Sequence, residues 1–258
     1  MAPLLALDRI GKTFGALQVI DAFTASVDAG EILGVVGPNG AGKTTLLNLI
    51  SAATPLSAGH IWFDGVDVTR TGPEERCRMG IARTHQVPQP FRALTVFENV
   101  LVGATYGRGR PERRATHVAA FTALERAGLA PCVNQVGGSL TLLQRKQLEL
   151  ARALATEPRL LLLDEPAGGL ADSEVPELVS TIAELKGQGI TVIWIEHVLH
   201  ALLAVVDRIL AMESGRVLIE GDPRAVMASP EIRRVYLGLD ETATALVTDE
   251  PAPRRIDQ

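Results

Sequence analysis

The run Gly37-Pro38-Asn39-Gly40-Ala41-Gly42-Lys43-Thr44-Thr45 fits the pattern G-x-x-x-x-G-K-[ST], and each residue type in it suits a triphosphate. Glycines admit backbone conformations that bring N–H groups close to phosphate oxygens. The helix expected to begin at Lys43 adds the partial positive charge of its N-terminus. Lys43 is expected to reach the β- and γ-phosphates, and the Thr44 hydroxyl to bind Mg²⁺. A second run, Arg159-Leu160-Leu161-Leu162-Leu163-Asp164-Glu165-Pro166, is an apolar strand ending in two acids. Beside a phosphate loop, Asp164 is expected to hold Mg²⁺, directly or through water, and Glu165 to polarise an attacking water. The apolar strand at 191–196 leads to His197, placed to sense or stabilise the γ-phosphate. Gln86 closes another expected strand, where it could contact Mg²⁺ or the attacking water. His60, His85, His117 and His200 are read as structural.

These groups need a scaffold that brings strand ends together. Apolar runs of strand length, at 31–37, 81–86, 160–164 and 191–196, alternate with helical periodicity, as at 43–51 and 174–185. Such near-continuous apolar strands suit a parallel sheet covered on both faces. The first 30 residues and 60–68 alternate instead, with the turn signal Asp64-Gly65, and 208–221 reads as a hairpin around Glu213-Ser214-Gly215. Together these are expected to make a small antiparallel sheet beside the core. Between 88 and 138 there is almost no strand signal; 95–105 and 112–127 read as helices joined across 107–111, a helical lobe of about 88–150 inserted in the core. The segment 241–258 lacks periodicity and reads as a solvated tail.

Composition narrows the class. The chain has 258 residues, 47% apolar and 21% charged, which excludes extended disorder and fibrous structure. Thirty acids against 25 Lys plus Arg leave a net charge of -5, against the basic excess of a dedicated nucleic-acid binder. The two cysteines, Cys77 and Cys132, have neither metal nor redox spacing and are expected as thiols in a reducing compartment. The apolar stretch at the N-terminus stops at Asp8, too early for a signal peptide. The longest candidate span, 190–206, contains Glu196, His197 and His200, so the chain is expected to be soluble and to reach any membrane through a partner.

With these residues assembled, the chain resembles the ATP-binding subunits of ABC transporters. The loop at 37–45, Gln86, the strand ending in Asp164-Glu165, and His197 occur in that family's order and approximate spacing, over about residues 4–238. The resemblance implies an α/β fold: a P-loop NTPase (RecA-like) core with a small antiparallel β subdomain and the inserted helical lobe, one ATPase domain over 1–240. It implies ATP and Mg²⁺ as cofactors, Phe14 as the aromatic that stacks on adenine, Gln86 as the glutamine loop and His197 as the switch histidine. The phrases Gly80-Ile81-Ala82-Arg83-Thr84-His85-Gln86, Leu94-Thr95-Val96-Phe97-Glu98-Asn99-Val100 and Ile195-Glu196-His197 are similar to the importer subunits for branched-chain amino acids. The ending Tyr236-Leu237-Gly238 is shared with the lipopolysaccharide-export ATPase, so an export-type system is the alternative.

The family's signature, L-S-G-G-Q, has its counterpart in Leu140-Thr141-Leu142-Leu143-Gln144. By resemblance Thr141 and Gln144 contact the nucleotide held by the opposite subunit. Leu142 and Leu143 replace both glycines, and Leu143 is expected to hinder close backbone approach and to resist a positive φ. The loop after Glu165 also departs, with Gly168-Gly169-Leu170-Ala171 and Asp172 one place late. These departures favour a second ATPase subunit that is a different chain over a second copy of this one. The other implied partners are integral membrane permease subunits and, indirectly, a substrate-binding protein, with no nucleic acid, at the cytoplasmic face of the cell membrane. Val87-Pro88-Gln89-Pro90-Phe91 and the helical lobe are expected to receive a permease helix. A soluble family member acting in translation or DNA repair usually carries paired ATPase domains or a long coiled coil, which do not fit this length. A small-molecule kinase would need an acceptor site and lid arginines, whereas Asp164-Glu165 and His197 point to water.

Overall fold

The computed structural model describes residues 2–109 and 112–237. The expected tail at 241–258, two residues of the 107–111 connection and Gly238 lie outside them. In chain order the strands are β1 (Leu5–Phe14), β2 (Leu17–Val27), β3 (Ile32–Val36), β4 (Ala58–Phe63), β5 (Val66–Asp67), β6 (Ile81–Arg83), β7 (Leu160–Asp164), β8 (Thr191–Ile195), β9 (Arg208–Glu213) and β10 (Arg216–Gly221). The helices are α1 (Lys43–Ile50), α2 (Pro73–Met79), α3 (Val96–Tyr106), α4 (Arg113–Arg126), α5 (Leu142–Leu154), α6 (Val175–Gly187), α7 (Leu199–Leu203), α8 (Pro223–Ala228) and α9 (Pro230–Leu237).

The apolar runs become a six-stranded sheet of order β10-β9-β3-β8-β7-β6, parallel except for β10. Successive side chains of a strand point to opposite faces, and both faces here are buried. Leu161, Leu163, Val192 and Trp194 join one core, while Leu160, Leu162, Ile193 and Ile195 join the other. The first core continues into the helices through Val96, Val100, Ala120, Leu124 and Leu148 of α3, α4 and α5. The second is closed by α1 and by an antiparallel sheet of order β2-β1-β4-β5, which contributes Leu5, Ile10, Ile20, Phe23 and Phe63.

The hairpin at 208–221 corrects one expectation. It does not join the small antiparallel sheet; β9 pairs in parallel with β3, Leu33 opposite Arg208 and Val36 opposite Ala211. The reason lies in its residues. Ile209 and Ala211 bury in one core and Leu210 and Met212 in the other, so both faces of β9 are apolar and need cover.

The start of α5 corrects another. A capping box forms between Thr141 and Gln144, so Leu142 and Leu143 are the first two residues of the helix rather than a loop. Neither is among the described non-glycine residues with positive φ, so the strain expected at Leu143 does not arise.

Candidate functional site

The loop between β3 and α1 is shaped by its glycines. Gly42 is the N-cap of α1 at φ 99°, and no side chain caps that helix. The first-turn N–H groups, those of Thr44 and Thr45 included, are thus not taken up by a capping side chain, the arrangement that suits an anion. A Cβ on Gly42 would stand 2.8 Å from Ile20 Cδ1, and one on Gly37 would stand 2.3 Å from the Met212 carbonyl oxygen. Pro38, Asn39 and Gly40 form the outer rim and Ala41 the buried wall. Lys43 folds its ammonium back into the loop, donating to the carbonyls of Gly37 at 2.7 Å and Pro38 at 3.0 Å. Burial pulls its pKa below the usual lysine value, opposed by the charges of Glu165 and Asp164. The cradle therefore holds a buried cation inside a ring of backbone dipoles, an arrangement suited to phosphate oxygens.

Thr44 Oγ1 donates to Asp164 Oδ1 at 3.4 Å, which brings two of the three expected metal ligands together across 120 residues. Hydroxyl, carboxylate and amide oxygen are the hard donors Mg²⁺ prefers, with triphosphate oxygens and waters completing the shell. Among the described residues no group of three or more His, Cys, Asp and Glu forms an all-protein cage. Asp164 is also held by Arg83, Nη2 to Oδ2 at 2.8 Å, and Arg83 bonds Asn48 of α1 as well. Neither Arg83 nor Asn48 was singled out by sequence.

Glu165 follows β7 at φ 48°, in the left-handed region. Its carboxylate accepts from Gln86 Nε2 at 2.6 Å and pairs with His197 Nε2 at 2.7 Å. Three residues picked from sequence thus meet at one point. Gln86 arrives differently from expectation, since β6 ends at Arg83 and Gln86 lies in the exposed segment beyond it. There Lys146 of α5 donates to the Gln86 carbonyl at 2.7 Å. His197 is fixed from behind by Glu196, which is 1% exposed. Its carboxylate accepts from the backbone N–H groups of His197 and Ala167, both at 3.0 Å, and from Trp194 Nε1 at 3.3 Å. An acid closing an apolar strand and a lysine on the apolar face of a helix, four residues before Leu150, were the signals for Glu196 and Lys146.

Phe14 is 50% exposed, with the Lys12 ammonium 4.8 Å from its ring centre. It ends β1, in the hairpin whose second strand meets the phosphate loop through Val19 and Ile20. Thr141 and Gln144 do not join the cluster. Thr141 Oγ1 accepts from the Gln144 N–H, Gln144 Oε1 accepts from the Thr141 N–H, and Gln144 Nε2 donates to Cys132 Sγ at 3.3 Å.

Comparison with known proteins agrees with this geometry. The family model described as ABC transporter matches residues 20–168. A probable branched-chain amino acid transport ATP-binding protein, LivG, of Methanocaldococcus jannaschii is 32% identical over 91% of this chain and 97% of its own length. The high-affinity branched-chain amino acid transport ATP-binding protein LivG of Escherichia coli K12 is 34% identical over 92% of this chain and 98% of its own. Among solved structures, the ADP conformation of MJ1267, an ATP-binding cassette of an ABC transporter, superposes with a TM-score of 0.83 at 32% identity, covering 93% of this chain and all of that one.

Proposed function

The chain belongs to the ABC transporter ATP-binding family, and on that premise we propose that its ATP hydrolysis powers an importer for branched-chain or other apolar amino acids. The observation that carries the catalytic part is the Glu165 carboxylate, held between Gln86 and His197 at the end of β7. Lys43 and the N–H groups of residues 39–45 bind the β- and γ-phosphates, and Phe14 stacks on the adenine. Thr44 and Asp164, with Gln86, are the residues that would hold Mg²⁺, which when bound neutralises charge on the β- and γ-oxygens. Glu165 orients the attacking water and accepts its proton. His197 and Gln86 aim that carboxylate, and His197 is exposed where a γ-phosphate would lie.

Transport requires partners. No helix among the described residues is long and apolar enough to cross a membrane, so we assign that task to permease subunits, with this chain on their cytoplasmic side and a substrate-binding protein acting through them. A groove of about 360 Å³ between the sheet and the helices, lined by Cys77, Arg83, His85, Tyr106, Glu149 and Arg152, suits a permease segment. Beside it, Asn99 pins the backbone of Phe91 and the Arg152 guanidinium lies 4.9 Å over the Phe91 ring, which keeps the apolar lip in place. The second ATPase subunit is a different chain. The support is the branched pair Leu142-Leu143 at the N-terminus of α5, where a close approach by a second copy's phosphate would meet side chains.

The substrate assignment follows the relatives' names and is tested in vesicles holding the assembled transporter. Leucine presented with its binding protein stimulates ATP turnover, and Lys43→Ala abolishes it. Stimulation by a polar solute but not by leucine would reassign the cargo.

A further inference from the structure

Lys146 lies on the core-facing side of α5 and is 6% exposed. An ammonium taken out of water must find acceptors. Lys146 Nζ finds two: the Gln86 carbonyl at 2.7 Å and the Glu165 carbonyl at 3.1 Å. These are the backbones of the two residues whose side chains also meet, Gln86 Nε2 to Glu165 Oε2 at 2.6 Å. The three residues close a ring that runs from ammonium to backbone, along each side chain, and through amide and carboxylate.

Glu165 needs that ring. Its φ of 48° is a conformation that is strained for a non-glycine residue and persists only where neighbours fix it. Its N–H donates to the Ile195 carbonyl at 2.9 Å, and its own carbonyl accepts from Gly168 N–H at 3.1 Å as well as from Lys146. Burial holds the Lys146 pKa below the usual lysine value, opposed by the charges of Glu196, Glu165, Asp164 and Glu149. Beyond Lys146, α5 packs in the helical region, where Leu148 and Leu154 share a core with Val96 and Leu124.

We infer that Lys146 is a positioning residue for hydrolysis, which fixes Gln86 relative to Glu165 and makes that pair move with α5. The inference rests on the proposed role of Glu165. It gives the helical region a direct mechanical link to the water-orienting carboxylate, one that does not pass through the phosphate loop.

The test uses the full chain in its transporter complex, with Lys146→Met, Lys146→Arg, Glu165→Gln and the Lys146→Met/Glu165→Gln double variant. Lys146→Met lowers kcat by about 10- to 100-fold, the size of effect expected from misplacing a catalytic group. The affinity for a non-hydrolysable ATP analogue changes by less than about twofold, because the phosphate loop is untouched. Lys146→Arg retains most of the rate, since a guanidinium still donates to both carbonyls. In the Glu165→Gln background the Met substitution adds nothing further. If Lys146→Met lowers the melting temperature sharply, Lys146→Gln, which keeps one donor, is read in its place. A wild-type kcat in the Met variant, parallel loss of affinity and kcat, or an undiminished drop in the Glu165→Gln background would overturn the inference. Wild-type turnover in Glu165→Gln alone would instead remove the role given to Glu165.

Discussion

The N-termini of α1 and α5 face the same problem, a first turn of backbone N–H groups without intrahelical partners, and the molecule answers it in opposite ways. At α1 the cap is Gly42, which offers no side chain, and the loop before it holds a buried lysine on backbone carbonyls. At α5 the cap is Thr141, whose hydroxyl accepts the Gln144 N–H and whose own N–H goes to Gln144 Oε1, followed by two leucines. The first end is built to be completed by an anion. The second is partly closed by its own capping box and presents leucine side chains. A helix N-terminus is thus not a phosphate site by geometry alone; what decides is whether the sequence fills the turn or leaves it to a ligand.

Substitutions at each end put this difference to the test. The largest effect belongs to Lys43→Ala, which removes the cation from the cradle and should abolish ATP turnover in a phosphate-release assay. Next comes Glu165→Gln, which should keep nucleotide binding and lower kcat by about 100-fold or more, as loss of a general base does; equal loss of binding and rate would assign Glu165 to ligand binding instead. Gly42→Ala forces a Cβ against Ile20 and Val19 at a φ of 99°. Thermal unfolding should show about 1–3 kcal/mol of destabilisation. Thr141→Ala opens the α5 cap and should cost about 1 kcal/mol in denaturant titration, with little change in ATP affinity. Leu143→Gly is the smallest, lowering stability by less than about 1 kcal/mol, and it should promote nucleotide-dependent self-association if the leucine pair is what keeps a second copy away.

The sequence displayed the α1 end fully because its chemistry is contiguous: nine neighbouring residues carry the cradle. Asp164, Glu165 and His197 were legible for a related reason, as polar groups closing apolar strands. What sequence could not display is pairing across distance. Arg83 meets Asp164 over 81 positions, and Lys146 meets Gln86 over 60; a local signal can mark a residue such as Lys146 or Asp164, but it does not name the partner. The hairpin at 208–221 was legible as a hairpin, but its sheet was decided by the apolar content of both faces of β9. Leu142 and Leu143 were legible as departures from a signature, yet their conformation was set by the neighbouring Thr141–Gln144 box, which turns a loop into helix.

The most direct test of the contrast is light scattering on purified Glu165→Gln, with and without MgATP, alongside nucleotide-binding stoichiometry. The open α1 end and the closed α5 end together predict one ATP bound per chain and a mass that stays that of the monomer. An ATP-dependent shift to a dimer of this chain would mean that the leucine-bearing end of α5 does receive a second copy's phosphate, and it would contradict the account.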